Sequence, residues 1–193
     1  LGFGRIDDEG LMFVIRQNEK GGFSATDDPA DPGKILSPVD FRCIYCVGLN
    51  YKAHAQESGE EPPKHPMIFM KAATAIQDPG APIVLPRFLR SDMVDYEGEL
   101  AIIIGRRCRH VPKDRAHEVI AGYSIMNDVS VRDWQRASPT MLMGKSWDTH
   151  GPLGPWMVTG ASLDPHNLQL TTRVNGEIRQ DSNTDDLIFD CFD

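Results

Sequence analysis

Three carboxylates occupy alternate positions in the segment Asp95-Tyr-Glu97-Gly-Glu99, which then runs straight into Leu-Ala-Ile-Ile-Ile. In an extended chain, side chains two apart project from the same face at about 7 Å spacing, so Glu97 and Glu99 converge. The intervening Gly98 leaves room for close approach. Two carboxylates buried side by side are costly unless a cation neutralises them. Two readings therefore stand open: a solvated strand end on an acidic protein, or one wall of a cation site. A second apolar run, "GYSIMNDVSVRDWQ", ends in Asn127-Asp128 and continues into Arg132 and Gln135 on one helical turn. Asp128 is either the N-cap of that helix or a third oxygen ligand. An all-oxygen site selects hard cations, Mg²⁺ or Mn²⁺ with Ca²⁺ as a substitute, over zinc.

His54 and Glu57 lie three apart in "NYKAHAQESG" and so neighbour each other on one helix face. Such a pair can activate water, the carboxylate orienting the imidazole, or it can be an exposed surface pair. Lys71, after the apolar "MIFM", and Lys145, in "MLMGKSWDTHGPLGP", are cations beside apolar stretches. Buried beside a metal they would bind substrate anions; otherwise their ammonium groups reach out to solvent.

The elements that must position these groups are short apolar runs punctuated by Gly and Pro: "CIYCVGL", "MIFMK", "PIVLP", "ELAIIIG", "GYSIMND", "PWMVTG" and "LQLTTRVNGEIRQ". Punctuation of this kind favours strands over long helices. "RVNGEIRQ" carries Asn175-Gly176, a strong hairpin signal. Helices are expected only over "NYKAHAQESG", "KDRAHEVIAG" and "SVRDWQRAS". Residues 1–40 are expected to form a small N-terminal lobe, with "LMFVIRQ" as a strand followed by a Gly, Pro, Asp and Ser-rich linker. The main, mixed β-rich (α+β) domain is expected from Phe41 to Asp193.

The 193 residues carry 28 acidic against 20 basic side chains, a net charge of −8, which opposes attraction to nucleic acid and to anionic membranes. No apolar run approaches the roughly 20 residues of a membrane span. Cys43 and Cys46 form a lone Cys-x-x-Cys inside an apolar run, which reads as buried thiols and a reducing compartment, cytoplasm or mitochondrial matrix. A start at Leu1 leaves a targeting segment open, and the abrupt end at "LIFDCFD" reads as a truncated C-terminus.

The motifs "YCVGLNYKAHAQESG", "PMIFMKAATAI", "DYEGELAIIIGRRCRHV", "AGYSIMNDVSVRDWQ", "GKSWDTHGPLGPW" and "VNGEIRQDSNTDDLIF" occur in the order and spacing of the fumarylacetoacetate hydrolase family. The chain resembles that family from Phe41 to about Phe189, and is most similar to its domain-containing members acting on small 2-oxo acids. The resemblance implies a β-roll with short helices, a homodimer, and Mg²⁺ or Mn²⁺ held by Glu97, Glu99 and Asp128. It also implies that Lys145 stabilises an enolate, that Arg132, Gln135 and Lys71 contact substrate, and that His54 and Glu57 sit on a lid. The family continues past this point with further strands and a Thr-Gly-Thr-Pro loop. The implied activity is hydrolysis of a C–C bond in a 2,4-dioxo acid of the acylpyruvate or fumarylpyruvate type through a metal-bound enolate. Oxaloacetate decarboxylation or keto-enol tautomerisation at the same site is the alternative, and a catalytically silent binding or structural subunit is a further one.

Overall fold

The structure, a computed structural model, describes residues 3–19, 23–31, 33–40, 42–160 and 163–193. Phe41, the expected first residue of the main domain, lies outside them. The chain divides into two compact units, Leu1–Ile35 and Leu36–Asp193.

The first unit is an antiparallel sheet of β1 (Phe3–Ile6), β2 (Met12–Gln17) and β3 (Phe23–Pro29), with β2 central. β2 is the strand expected over "LMFVIRQ". β3 corrects the sequence reading, which placed a linker there. Pairing decides it: Thr26 Oγ1 donates to the Val14 carbonyl at 2.7 Å, and Arg16 pairs with Asp28 at 2.6 Å.

The second unit is strand-rich. β4 (Ile44–Gly48) and β5 (Met67–Lys71) form an antiparallel ribbon, joined by helix α1 (Lys52–Ser58). The short β6 (Ile76–Gln77) and β7 (Val94–Asp95) follow. β8 (Gly98–Ile104) and β9 (Ile120–Asn127) pair antiparallel, Gly98 opposite Asn127. β10 (Ser130–Val131) pairs with β7 and leads into α2 (Arg132–Arg136) and then α3 (Leu142–Lys145). β11 (Gly151–Pro152) runs parallel to β6, and β12 (Val158–Thr159) joins the outer side of β9. The hairpin of β13 (Gln169–Val174) and β14 (Glu177–Asn183) closes the order. Its turn residues, Asn175 and Gly176, take φ of 52° and 87°, the positive values the Asn-Gly signal requires. Tyr123, Met126, Val129, Val131 and Leu153 are the buried apolar residues around β9.

Several expectations change. Residues 82–86, "PIVLP", form no strand; the two prolines lack the N–H a ladder needs. Residues 113–118 make a 3-10 helix, and the four-residue α3, too short to show periodicity, was not foreseen. The apolar run of β8 is only partly covered, Ile104 being 59% exposed. β4 alternates rather than being buried throughout: Cys43 is exposed, Cys46 half-buried, and all four cysteines are free thiols. Among the described residues no helix is long and apolar enough to cross a membrane.

Candidate active site

The mouth of the β8–β9 pair is where the carboxylates gather. Asp128, one residue beyond β9, donates its N–H to the Glu97 carbonyl at 2.7 Å, and the Glu97 N–H is accepted by Asn127 Oδ1 at 3.0 Å. The ladder is thereby carried one step past its last paired strand residues, which fixes Glu97 and Asp128 side by side. Gly98 between the two glutamates is required by packing: a Cβ there would overlap Thr172 Oγ1 on β13, and its N–H donates to Gln180 Oε1 at 2.8 Å.

Two lysines converge on Asp128. Lys145 Nζ lies 2.7 Å from Asp128 Oδ2 and 2.5 Å from Glu97 Oε2, and 4.9 Å above the Phe69 ring. Lys71 Nζ lies 2.6 Å from Asp128 Oδ1, close as an ion pair though poorly angled as a hydrogen bond, and donates to the Val129 carbonyl at 3.1 Å. Both lysines are fully buried, so neither reaches out to solvent. Asp128 is not a helix cap either; Val131 holds that position for α2. Burial pulls the Lys71 ammonium below its ordinary pKa, with Asp128 opposing the shift. Lys71, expected to contact substrate, is enclosed against Asp128.

Lys145 arrives by way of Gly144. A Cβ on Gly144 would overlap the Gln135 backbone N and Cα, so only glycine lets α3 lie this close to α2. On α2, Arg132 NH1 is 2.6 Å from Glu97 Oε1 and donates to Gln135 Oε1 at 3.1 Å, while its Nε and NH2 donate to Asp95 Oδ2. The structure therefore links Glu97, Asp128, Lys71, Lys145, Arg132 and Gln135 in one network.

Glu99 stands beside this network rather than in it. Burial first, then the neighbouring Glu97 and Asp128, push its carboxyl up to about 7, with Lys145 only partly offsetting them. The Tyr51 phenol at the foot of α1 is raised by burial and then by Glu99. His54 and Glu57 lie on α1 and are exposed; among the described residues neither bonds to Glu97, Glu99 or Asp128. α1 itself is tied to the end of the chain, the Ala53 N–H donating to Asp186 Oδ2 at 2.9 Å.

Three residues near the network had no assigned role in the sequence. Asp95 continues the same alternation as Glu97 and Glu99, which was the available signal. The Cys46 thiol is pushed up to about 12 by burial and by Asp128, and no sequence feature placed it near these charges. His150 is fully buried, its Nε2 against the Val84 carbonyl at 3.2 Å, and burial first, with the Lys71 charge adding to it, holds it below its ordinary pKa.

A hard cation can be tested against this donor set. Three neighbouring carboxylates supply only oxygen, and Glu99, raised first by burial and then by Glu97 and Asp128, is a carboxyl whose charged form a cation would favour. The donors fit. Among the described residues no three His, Cys, Asp or Glu side chains are already arranged around one point, and the Lys145 ammonium lies between Glu97 and Asp128.

The fumarylacetoacetate (FAA) hydrolase C-terminal family matches residues 43–193. The chain belongs to this family. It is 44% identical over 159 residues to the mitochondrial oxaloacetate tautomerase FAHD2B of Homo sapiens, covering 80% of this chain and 50% of that protein. Among solved structures it is similar to 5-carboxymethyl-2-hydroxymuconate delta-isomerase from Mycobacterium smegmatis, with a TM-score of 0.86 and 41% identity over 99% of this chain and 74% of that one. Fumarylacetoacetate hydrolase from Exiguobacterium antarcticum superposes with a TM-score of 0.81 at 32% identity, over 99% of this chain and 74% of that one. These likenesses establish the mixed β-rich fold of the family. The chain spans about half the length of the human relative.

Proposed function

We propose that the chain is the catalytic domain of an enzyme that interconverts the keto and enol forms of a small 2-oxo acid of the oxaloacetate type. The observation that carries this reading is the buried Lys145 ammonium held by Glu97 and Asp128 at the mouth of β8–β9. Ketonisation moves one proton from the enol oxygen to C3, and negative charge collects on that oxygen as its proton leaves. A fixed ammonium in a site sheltered from water stabilises such charge strongly, with little reorganisation. Arg132 and Gln135 would orient the substrate carboxylate. Glu97, Glu99 and Asp128 would hold Mg²⁺ or Mn²⁺. When bound, the cation supplies Lewis-acid stabilisation of the same oxygen. The similarity to an oxaloacetate tautomerase and to a hydroxymuconate isomerase supports this choice of reaction.

Hydrolysis of a 2,4-dioxo acid is the second reading, favoured by the similarity to a fumarylacetoacetate hydrolase. It requires an activated water and hence a base, and the exposed His54 and Glu57 are the candidates. One experiment separates the two. The protein with Mg²⁺ is assayed for enol-oxaloacetate ketonisation and for acylpyruvate cleavage, with His54→Ala and Glu57→Gln alongside. Ketonisation well above the buffer rate and within about threefold of wild type in both variants is expected; ketonisation no faster than in buffer, with acylpyruvate cleavage that both variants lower by the roughly 10²-fold or more typical of a missing general base, would reverse the assignment.

A further inference from the structure

Arg132 has five N–H donors; among the described residues three make hydrogen bonds and NH1 also lies in a close ion pair with Glu97. NH1 serves Glu97 Oε1 at 2.6 Å and Gln135 Oε1 at 3.1 Å, Nε serves Asp95 Oδ2 at 3.0 Å, and NH2 serves the same Asp95 oxygen at 2.7 Å. Backbone register brings Asp95 there. β7 pairs with β10 so that Asp95 lies opposite Ser130, and the Arg132 N–H donates to the Met93 carbonyl at 2.9 Å. The arginine thus leaves the end of β10 and folds back over the strand end that carries Asp95.

We propose that Asp95 is a positioning residue that acts through Arg132. A guanidinium is planar and rigid, so anchoring its Nε–NH2 edge fixes the NH1 edge as well. With Asp95 on one edge and Glu97 and Gln135 on the other, the plane is set, and NH2, which gives one hydrogen to Asp95, keeps its second to donate to a substrate carboxylate. Arg132 then offers the substrate an aimed NH2 donor. Asp95 is itself 42% exposed, so its effect lies in geometry more than in stabilising the fold, as for other solvent-facing ion pairs. This rests on the reading that Arg132 contacts the substrate.

Removing the anchor frees the guanidinium to turn edge-on towards Glu97. The aimed donor is lost in the ground state and the transition state alike, and uniform loss of this kind appears in KM rather than kcat. For Asp95→Ala the expectation is a KM for oxaloacetate raised about tenfold with kcat within about threefold. Asp95→Asn, which keeps an acceptor oxygen without the charge, should recover part of the loss. A purely structural role would lower the melting temperature and the active fraction and leave KM alone.

The second readout does not depend on activity. The Arg132 Nε–H resonance, assigned by its disappearance in Arg132→Lys, should exchange slowly in the wild type and merge with those of exposed arginines in Asp95→Ala. An unchanged resonance overturns the anchoring whatever the kinetics show. A changed resonance with unchanged KM, or with loss confined to kcat, overturns the positioning role. If the wild type acts on no 2-oxo acid, the functional reading fails, and the resonance still decides whether Asp95 anchors Arg132.

Discussion

Replacing Lys71 by Met separates two accounts of that residue, a substrate anchor or a buried counterion of Asp128. Lys71 Nζ sits 2.6 Å from Asp128 Oδ1, with the lysine side chain wholly enclosed and Asp128 7% exposed. Removing one partner of such a pair costs about 3 to 5 kcal/mol, because the other is left buried and uncompensated. Asp128 keeps Lys145 at 2.7 Å, which places the cost at the lower end of that range. The Val129 carbonyl also loses its donor, worth about 1 kcal/mol. Met occupies much of the space of the lysine stem and offsets part of this, so a net loss of about 3 kcal/mol is expected. Urea unfolding followed by tryptophan fluorescence reads the relevant unit alone, since Trp134, Trp147 and Trp156 all belong to Leu36–Asp193. With a slope of about 2 to 3 kcal/mol per molar urea, the midpoint should fall by about 1 to 1.5 M. KM should stay near the wild-type value in the protein that remains folded. A midpoint within error of wild type, combined with a raised KM, would refute the counterion account and return Lys71 to the substrate.

Three further outcomes are expected. The Glu99 carboxyl is raised from 4.5 to about 7 by burial and then by Glu97 and Asp128, so between those values the folded chain holds a proton the unfolded chain has lost. In EDTA, stability should therefore be greatest on the acid side of this window and fall as pH rises through it, by up to about 3 kcal/mol; a Glu99→Gln variant showing the same slope would exclude Glu99 as its source. Mg²⁺ or Mn²⁺ should raise the melting temperature, Glu97→Gln, Glu99→Gln and Asp128→Asn should each weaken that shift, and full turnover in excess EDTA would remove the cation from the proposed function. In thiol labelling of the native protein, exposed Cys43 and Cys108 should react first; Cys46, pushed up to about 12, and Cys191, pushed up to about 11, should lag, and a fast Cys46 would contradict its burial among these charges.

The parts of the site legible in the sequence are those carried by local spacing. Alternation set Glu97 and Glu99 at the start of one strand, the Asn127-Asp128 ending marked its neighbour, and a three-residue spacing put Arg132 and Gln135 on one helical turn, where they now share a hydrogen bond. Tertiary partners set the remainder. Nothing in "MIFMK" tells whether Lys71 turns to solvent or inward; the answer is Asp128, far along the chain. Lys145 is buried because Gly144 admits the Gln135 backbone, a contact that composition cannot reveal. β3 was missed because Asp-Asp-Pro resembles a turn, whereas at the edge of an exposed sheet those carboxylates are solvated and one of them pairs with Arg16.

Charge balance connects these residues to the chemistry. Asp95, Glu97, Glu99 and Asp128 place four carboxylates against the three cations Lys71, Arg132 and Lys145, leaving one negative charge in excess. Close ion pairs occupy Asp95, Glu97 and Asp128, so the excess falls on Glu99, whose carboxyl is raised first by its burial and then by the neighbouring Glu97 and Asp128. A proton or a cation can relieve it. On the proposed reading a divalent cation turns the balance from one negative charge to one positive, the sign that suits a dicarboxylate substrate. Protons and cation then compete for the same relief, and Mn²⁺ affinity should weaken as pH falls below about 7. Glu99→Gln should lose most of that dependence and bind Mn²⁺ more weakly throughout. If instead the variant keeps the wild-type pH dependence of Mn²⁺ binding, the competing proton sits elsewhere, and the excess charge has been assigned to the wrong carboxylate.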